Sequence, residues 1–158
     1  MLPKMIRQHI RCGLIGMMFF GFAATGNSAE FQCTPTPEDA MGPFYKPGAP
    51  VRDSVGKGYI LEGTVQSAAD CAPIADAKIE FWLAGPNGRY DDQHRATLYP
   101  GTSGNYRFET HMPPEYGFRP PHIHIRVEAN GFATLTTQHY PATGSRNDRF
   151  NLVLKPGR

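Results

Sequence analysis

The sequence predicts an all-β protein: a β-sandwich of short, mostly antiparallel strands with a Pro-rich N-terminal arm. Three observations carry that expectation. Fifteen prolines and 17 glycines are scattered between short runs rich in Val, Ile, Phe, Tyr and Thr, the pattern of many turns joining short strands. Six such runs can be placed along the chain, whereas no stretch shows a clear amphipathic helical period. Strands without helices to cover a sheet must pack sheet on sheet, as a sandwich or barrel.

The strands are expected at YILEGTVQS (59–67), AKIEFWLA (77–84), NYRFETH (105–111), HIHIRVEA (122–129), ATLTTQHY (133–140) and RFNLVLK (149–155), each bounded by Gly, Pro, Asn or Asp. TPEDAM (36–41) fits one helical turn, with Thr36 as the cap and Asp39 three residues on. A chain of 158 residues suits one domain, and neither an internal repeat nor an interdomain linker is evident. Residues 30–57 read as an arm lying across the domain surface and 58–158 as the sandwich body, so that 30–158 form one globular unit.

The first 29 residues differ from the rest. Lys4, Arg7 and Arg11 form a basic head, GLIGMMFFGFAA (13–24) an apolar run and TGNSA a small-residue exit, the layout of a secretory signal. The apolar run is well short of the ~20 residues that span a bilayer. Cleavage is placed after Ala29, which predicts a periplasmic or secreted protein with no stable membrane association once the signal is removed. Three of the 16 basic residues and none of the 14 acidic ones leave with it. A near-neutral mature chain has no basic footprint for nucleic acid. Cys12 also leaves, and Cys33 and Cys71 remain as a pair in an oxidising compartment. A disulfide between them is expected, stabilising by ~3 to 4 kcal/mol in the chain-entropy model.

The chemistry concentrates in RPPHIHIRV (119–127). In a strand, residues two apart share a face and rise ~3.3 Å each, so His122 and His124 stand about 6 to 7 Å apart at Cα and can converge on one metal. Ile123, Ile125 and Val127 then face the core. An H-x-H pair alone is weak evidence. Tyr116 lies six residues before His122 on a Pro- and Gly-rich loop, and Tyr90 ends the turn GPNGRY after the strand carrying the only Trp. Each residue also has a plainer reading. Tyr90 can pack on Trp82, Arg119 can pair with Glu115 or Glu128, and Gln138 can face solvent from its strand. His94, His111 and His139 are assigned to the surface or a pocket rim.

CTPTPEDAMGPFY, DCAPIADAKIEFWLAGPNGRYDD, PPEYGFRPPHIHIRV and TTQHY resemble, in order, segments of the intradiol ring-cleavage dioxygenases, the group containing protocatechuate 3,4-dioxygenase and catechol 1,2-dioxygenase. The resemblance runs from about Cys33 to the last strand and looks most like the compact secreted members. It implies that Tyr90, Tyr116, His122 and His124 hold a non-haem Fe(III), that Arg119 is catalytic and that Gln138 sits near the ring. It also implies a catecholic substrate, O2 as co-substrate, and a cis,cis-muconate-type diacid as product. Tyr116 would leave the ion and take a substrate proton, while Arg119 stabilises charge building on the ring. Tyr45, in GPFY, borders the family's active site and is expected to touch substrate, its plainer reading being an arm anchor.

Hard phenolate donors suit ferric iron, whereas the two-His-one-carboxylate set suits Fe(II), and no Asp or Glu lies in the H-x-H segment. The chain departs from larger members in a shorter Tyr116 to His122 gap and in lacking a helical dimerisation region, so homo-oligomerisation is left open. No residue stands out as partner for a ring carboxylate. Two rivals are a copper-zinc superoxide dismutase-like enzyme and a non-catalytic transthyretin-like binding module with a vestigial metal site.

Overall fold

A computed structural model describes residues 30–157; the predicted signal segment and its Cys12 lie outside the described residues. Eight strands form two four-stranded sheets. The first is built on β1 (Tyr59–Ser67), with β4 (Asn105–Thr110) antiparallel on one edge. On its other edge β7 (Asn147–Arg149) and β8 (Leu152–Leu154) run parallel to β1. The second has the order β3-β2-β5-β6, all antiparallel, from β2 (Lys78–Trp82), β3 (Arg95–Leu98), β5 (Ile123–Glu128) and β6 (Leu135–His139). The sandwich is therefore mostly antiparallel, as expected.

Period-two burial makes the core. Along β1, Tyr59, Leu61 and Val65 are buried, while Ile60, Glu62 and Thr64 between them are not. The facing sheet supplies Ile79, Phe81, Ile123, Ile125 and Val127, all within 1% of full burial. The Phe81 and Phe108 rings stack across the gap, with centroids 4.2 Å apart.

Three expectations change. The run at 149–155 is not one strand: β7 ends at Arg149 and β8 starts at Leu152, both in the same register on β1, with the ladder interrupted at Phe150 and Asn151 opposite Gly63 and Thr64. The Phe150 carbonyl accepts a hydrogen bond from the Tyr106 hydroxyl at 2.6 Å and lies where a side chain on Gly63 would be, 2.1 Å from an added Cβ. The polar segment at 95–98 is a strand that the sequence reading missed. Its outward Arg95 and Thr97 side chains bond carbonyls of the arm, Lys46 and Ala49 respectively, which satisfies polar groups that alternate with the core-facing Ala96 and Leu98. Residues 36–41 form no helical turn. Thr36 instead clips the arm to β8 of the first sheet, its hydroxyl donating to the Asn151 carbonyl and accepting from the Val153 amide.

The arm crosses the outer face of the β3-β2-β5-β6 sheet. Backbone bonds tie it down from Asp39 N to Thr136 O, Thr97 N to Pro50 O and Glu109 N to Asp53 O. In the middle, Tyr45 reaches the buried carboxylate of Glu80 at 2.9 Å, which Lys78 and Arg126 also neutralise. Cys33 and Cys71 are joined by a disulfide with a Cα separation of 5.4 Å, linking the arm to the turn after β1. Among the described residues no helix is long and apolar enough to cross a membrane.

His139 is not a surface histidine. It is 8% exposed, and its Nε2 lies 2.6 Å from the Tyr59 hydroxyl and 3.1 Å from Asp148. Burial pulls its pKa below the usual 6.5, with Asp148 opposing. The folded chain thus keeps His139 neutral while the unfolded chain protonates it. Its contribution is complete above pH 6.5 and declines as the pH falls from there. Urea midpoints measured from pH 7.5 down to 5 are expected to drop, and His139→Gln to flatten that drop. Reducing the disulfide in the folded protein is expected to lower the unfolding free energy by about 3 to 4 kcal/mol with the same fold by circular dichroism.

Candidate metal centre

Strand register assembles the site. Trp82, His124 and Gln138 are direct neighbours across β2, β5 and β6, so their side chains share the outer face. His122, two residues before His124, joins them, while Ile123 and Ile125 enter the core. The Trp82 indole lies flat on the His124 imidazole, centroids 4.9 Å apart and planes 4° from parallel. Tyr90, whose plainer reading was packing on Trp82, stacks instead on Phe44 of the arm at 4.3 Å and points its hydroxyl at the histidines.

Two turns deliver the loop residues. Tyr90 follows a turn closed by Gly88 N to Gly85 O and Gly85 N to Arg89 O. It precedes Asp91, which caps the 3-10 turn Asp92–His94 through Gln93 N. Tyr116 and Arg119 bond each other through both backbone groups, at 3.0 and 3.1 Å, around Gly117 and Phe118. Gly117 has φ of +61°, so glycine occupies the first turn position that tight hairpins reserve for it. Directly paired strand residues project to one side, which sets Tyr116 and Arg119 together.

The result is a cleft of about 240 Å³ lined by Pro43, Phe44, Tyr90, Tyr116, Arg119 and the two histidines. The Tyr90 hydroxyl oxygen is 3.1 Å from His122 Nε2 and 3.3 Å from His124 Nε2. The Tyr116 ring meets that of Tyr90 edge-on at 5.3 Å. A larger cleft of about 360 Å³ lies behind Phe44 and Tyr90, but its cations Lys46 and Arg95 are committed to Asp92.

The donor atoms fit a cation. Metal bonds of ~2.0 to 2.2 Å at right angles place ligand atoms about 3 Å apart, the spacing seen here. His122 Nδ1 donates to the Pro120 carbonyl at 2.8 Å, which leaves the Nε2 lone pair facing the cleft. Burial lowers the pKa of both histidines. His124 falls to about 4, with the neighbouring charges of His122 and Arg119 adding to burial. Both are neutral at ordinary pH and able to bind metal. Burial, then Tyr116, push the Tyr90 phenol up to about 12, so a phenolate there needs a cation beside it.

His124 makes the same point. Its Nδ1 is buried with no hydrogen-bond partner among the described residues. With the proton on Nε2, Nδ1 has a bare buried lone pair. With the proton on Nδ1, Nε2 faces a Tyr90 oxygen whose one hydrogen is also sought by His122. A cation between the three atoms relieves the second arrangement.

The other candidates fall into place unevenly. Arg119 pairs with neither Glu115 nor Glu128; its Nη2 donates to Gln138 Oε1 at 2.8 Å and to the Tyr140 hydroxyl at 2.9 Å. Gln138 is buried rather than solvent-facing, and its Nε2 donates to the Ala40 carbonyl. Tyr45 does not line the cleft. Its hydroxyl is held by Glu80, its ring tilts against Trp82 and Arg126 lies over it, so it anchors the arm. His94 and His111 are half-buried and meet edge-on at 5.2 Å, apart from the centre. Phe44, Trp82, Tyr140 and Asp39 were not read as site residues. The aromatic in GPFY and the alternation that places Trp82 opposite His124 were the available signals for the first two.

A copper-zinc centre requires clustered histidines and aspartate, and among the described residues no group of three or more His, Cys, Asp or Glu could hold a metal. The donors that do gather include phenols. Imidazole and phenol donors thus gather in an aromatic cleft on the outer face of one sheet of a β-sandwich, a donor set that suits a hard metal ion.

Comparison with known proteins narrows this. No family model matches the chain. It is 31% identical over 169 aligned residues to a chlorocatechol 1,2-dioxygenase of Cupriavidus pinatubonensis, covering 85% of this chain and 66% of that protein. It is 27% identical to the intradiol ring-cleavage dioxygenase prcA of Aspergillus niger, covering 85% and 54%. The dioxygenase domain of a dioxygenase carbohydrate-binding fusion from Streptomyces sp. SirexAA-E superposes with a TM-score of 0.70 at 28% identity, over 78% of this chain and all of that one. The chain therefore belongs to the intradiol ring-cleavage dioxygenases. It spans just under two thirds of the length of the chlorocatechol relative and about half that of the fungal one.

Gly42 closes the arm against the site. Its φ is +71°, and a Cβ there would lie 3.0 Å from His124 Cε1. Gly42→Ala is expected to cost about 1 kcal/mol or more in urea unfolding and to weaken the binding of an added metal ion, measured by dialysis against a chelator.

Proposed function

We propose that this protein is an exported, iron-dependent intradiol dioxygenase that opens a catecholic ring between its two hydroxylated carbons, consuming O2 and releasing a cis,cis-muconate-type diacid. The observation carrying the reading is the convergence of Tyr90 Oη on His122 Nε2 and His124 Nε2 at 3.1 and 3.3 Å, in a cleft that also holds Tyr116 and Arg119. Tyr90, Tyr116, His122 and His124 are the residues that would hold Fe(III). When bound, ferric iron supplies a Lewis acid that favours the doubly deprotonated catechol and its reaction with O2.

The chain's own groups do the rest. Phe44 and Pro43 supply apolar walls that hold a flat ring and exclude water. Tyr116, a phenolate when the cation is bound, would accept one catechol proton at Oη and the other would leave to water, while neutral His122 and His124 stay fixed, the first by its bond to Pro120. Arg119 stabilises negative charge building on the ring, a preorganised cation in a partly dry cleft being worth ~3 kcal/mol on the scale of oxyanion donors. Gln138 holds Arg119 at 2.8 Å. Export is supported by the basic, apolar and small-residue order of residues 1–29 and by the Cys33–Cys71 bond.

Catechol, protocatechuate and hydroxyquinol are to be added anaerobically in turn to the purified, iron-loaded protein, followed by O2. A shifted visible band and then a ring-opened diacid are expected. Tyr90→Phe and His124→Ala should abolish colour and turnover together, whereas Arg119→Leu should keep iron and lose about 100-fold in rate. A Tyr90→Phe variant that retained turnover would refute the ligand set.

A further inference from the structure

We propose that Asp39 and Tyr140 are positioning residues. Through the Tyr140 phenol, a carboxylate on the N-terminal arm sets the orientation in which Arg119 faces the ring. This rests on the ring-cleavage reading of the cleft.

Arg119 Nη2 donates to Gln138 Oε1 at 2.8 Å and to Tyr140 Oη at 2.9 Å. Those bonds use both hydrogens of that nitrogen, so the guanidinium can offer the cleft only the hydrogens on Nη1 and Nε. Its plane is thereby fixed. Tyr140 has one hydrogen and two acceptors in reach, Asp39 Oδ2 at 2.8 Å and Gln138 Oε1 at 3.1 Å. The carboxylate is nearer and charged, and Gln138 Oε1 already accepts from Arg119, so the proton goes to Asp39. Donating to a carboxylate makes the Tyr140 oxygen a better acceptor for the guanidinium.

The arm grips the second partner as well, since Gln138 Nε2 donates to the carbonyl of Ala40, the residue after Asp39. Asp39 N in turn bonds Thr136 O on β6, which fixes the arm at that point. Both side chains that hold Arg119 are therefore held by adjacent arm residues. Without them Arg119 stands on a two-residue turn beside the fully exposed Phe118, where many rotamers are open to it.

The test compares Asp39→Asn and Tyr140→Phe with the native iron-loaded chain, using catechol. Both variants are expected to keep iron content and the visible band but to lose about 10- to 100-fold in kcat, the scale of a misplaced catalytic group. In an Arg119→Ala background, Tyr140→Phe is expected to cost nothing more. In the metal-free native protein the Arg119 guanidinium should show resolved, slowly rotating N–H signals by 15N NMR, and Tyr140→Phe should average them. Unchanged kcat in both variants overturns the proposal, and so does an equal loss with and without Arg119, which would mean that the contact merely fastens the arm. Guanidinium signals averaged already in the native chain overturn it too. A native chain inert toward every catechol would instead remove the ring-cleavage reading, and the NMR comparison would still decide the positioning role.

Discussion

The pairing of β5 between β2 and β6 is the constraint on which the rest of the molecule depends. One strand of six residues serves two environments because alternate side chains leave it on opposite faces. Ile123, Ile125 and Val127 are fully buried in the sandwich core. His122 and His124 stand on the other face beside Trp82 and Gln138. A register slip of one residue would put imidazoles into the core and isoleucines into the cleft. The hydrophobic term that holds the sandwich together thus also places the nitrogen donors, and the Pro120 carbonyl and the Trp82 ring then orient them.

The outer face of that sheet is where a sandwich usually meets water, and here the arm covers it. Glu80 shows the cost of such cover: a carboxylate 2% exposed requires Lys78, Arg126 and the Tyr45 hydroxyl around it. In return the arm brings Phe44 onto Tyr90, Gly42 onto His124 and Ala40 onto Gln138. The arm is thus one wall of the cleft, and its covalent tie at Cys33 and its clip at Thr36 hold the segment leading into that wall. Stability of the arm and geometry of the centre are one problem.

Proton inventory follows from burial. The same desolvation that keeps His122 and His124 neutral also keeps the Tyr90 phenol protonated in the absence of a cation. The cleft is therefore prepared for a positive ion in two senses, with free lone pairs on nitrogen and an oxygen that becomes a strong donor only beside such charge. His139, one residue from Gln138, is buried too, yet it is turned into the core against Tyr59 and Asp148 and takes no part.

Local periodicity was enough to determine much of this protein. The alternation in β1, β2, β4, β5 and β6 was legible because each has one face in an apolar core, and His122 with His124 followed from the same period. Tyr90, Tyr116, Arg119 and Gln138 were named from the pattern of segments they occupy. What only the tertiary structure decided involves polar groups satisfied at long range. The strand at 95–98 is stabilised by arm carbonyls about 50 residues away, β7 by β1, and Thr36 by β8 instead of by a helix. Tyr45 turned to Glu80 instead of the cleft, and Asp39 met Tyr140, 101 residues along the chain. Those pairings depend on where the arm crosses the sheet, and a hydrogen bond between residues so far apart leaves no periodic trace in the sequence that forms it.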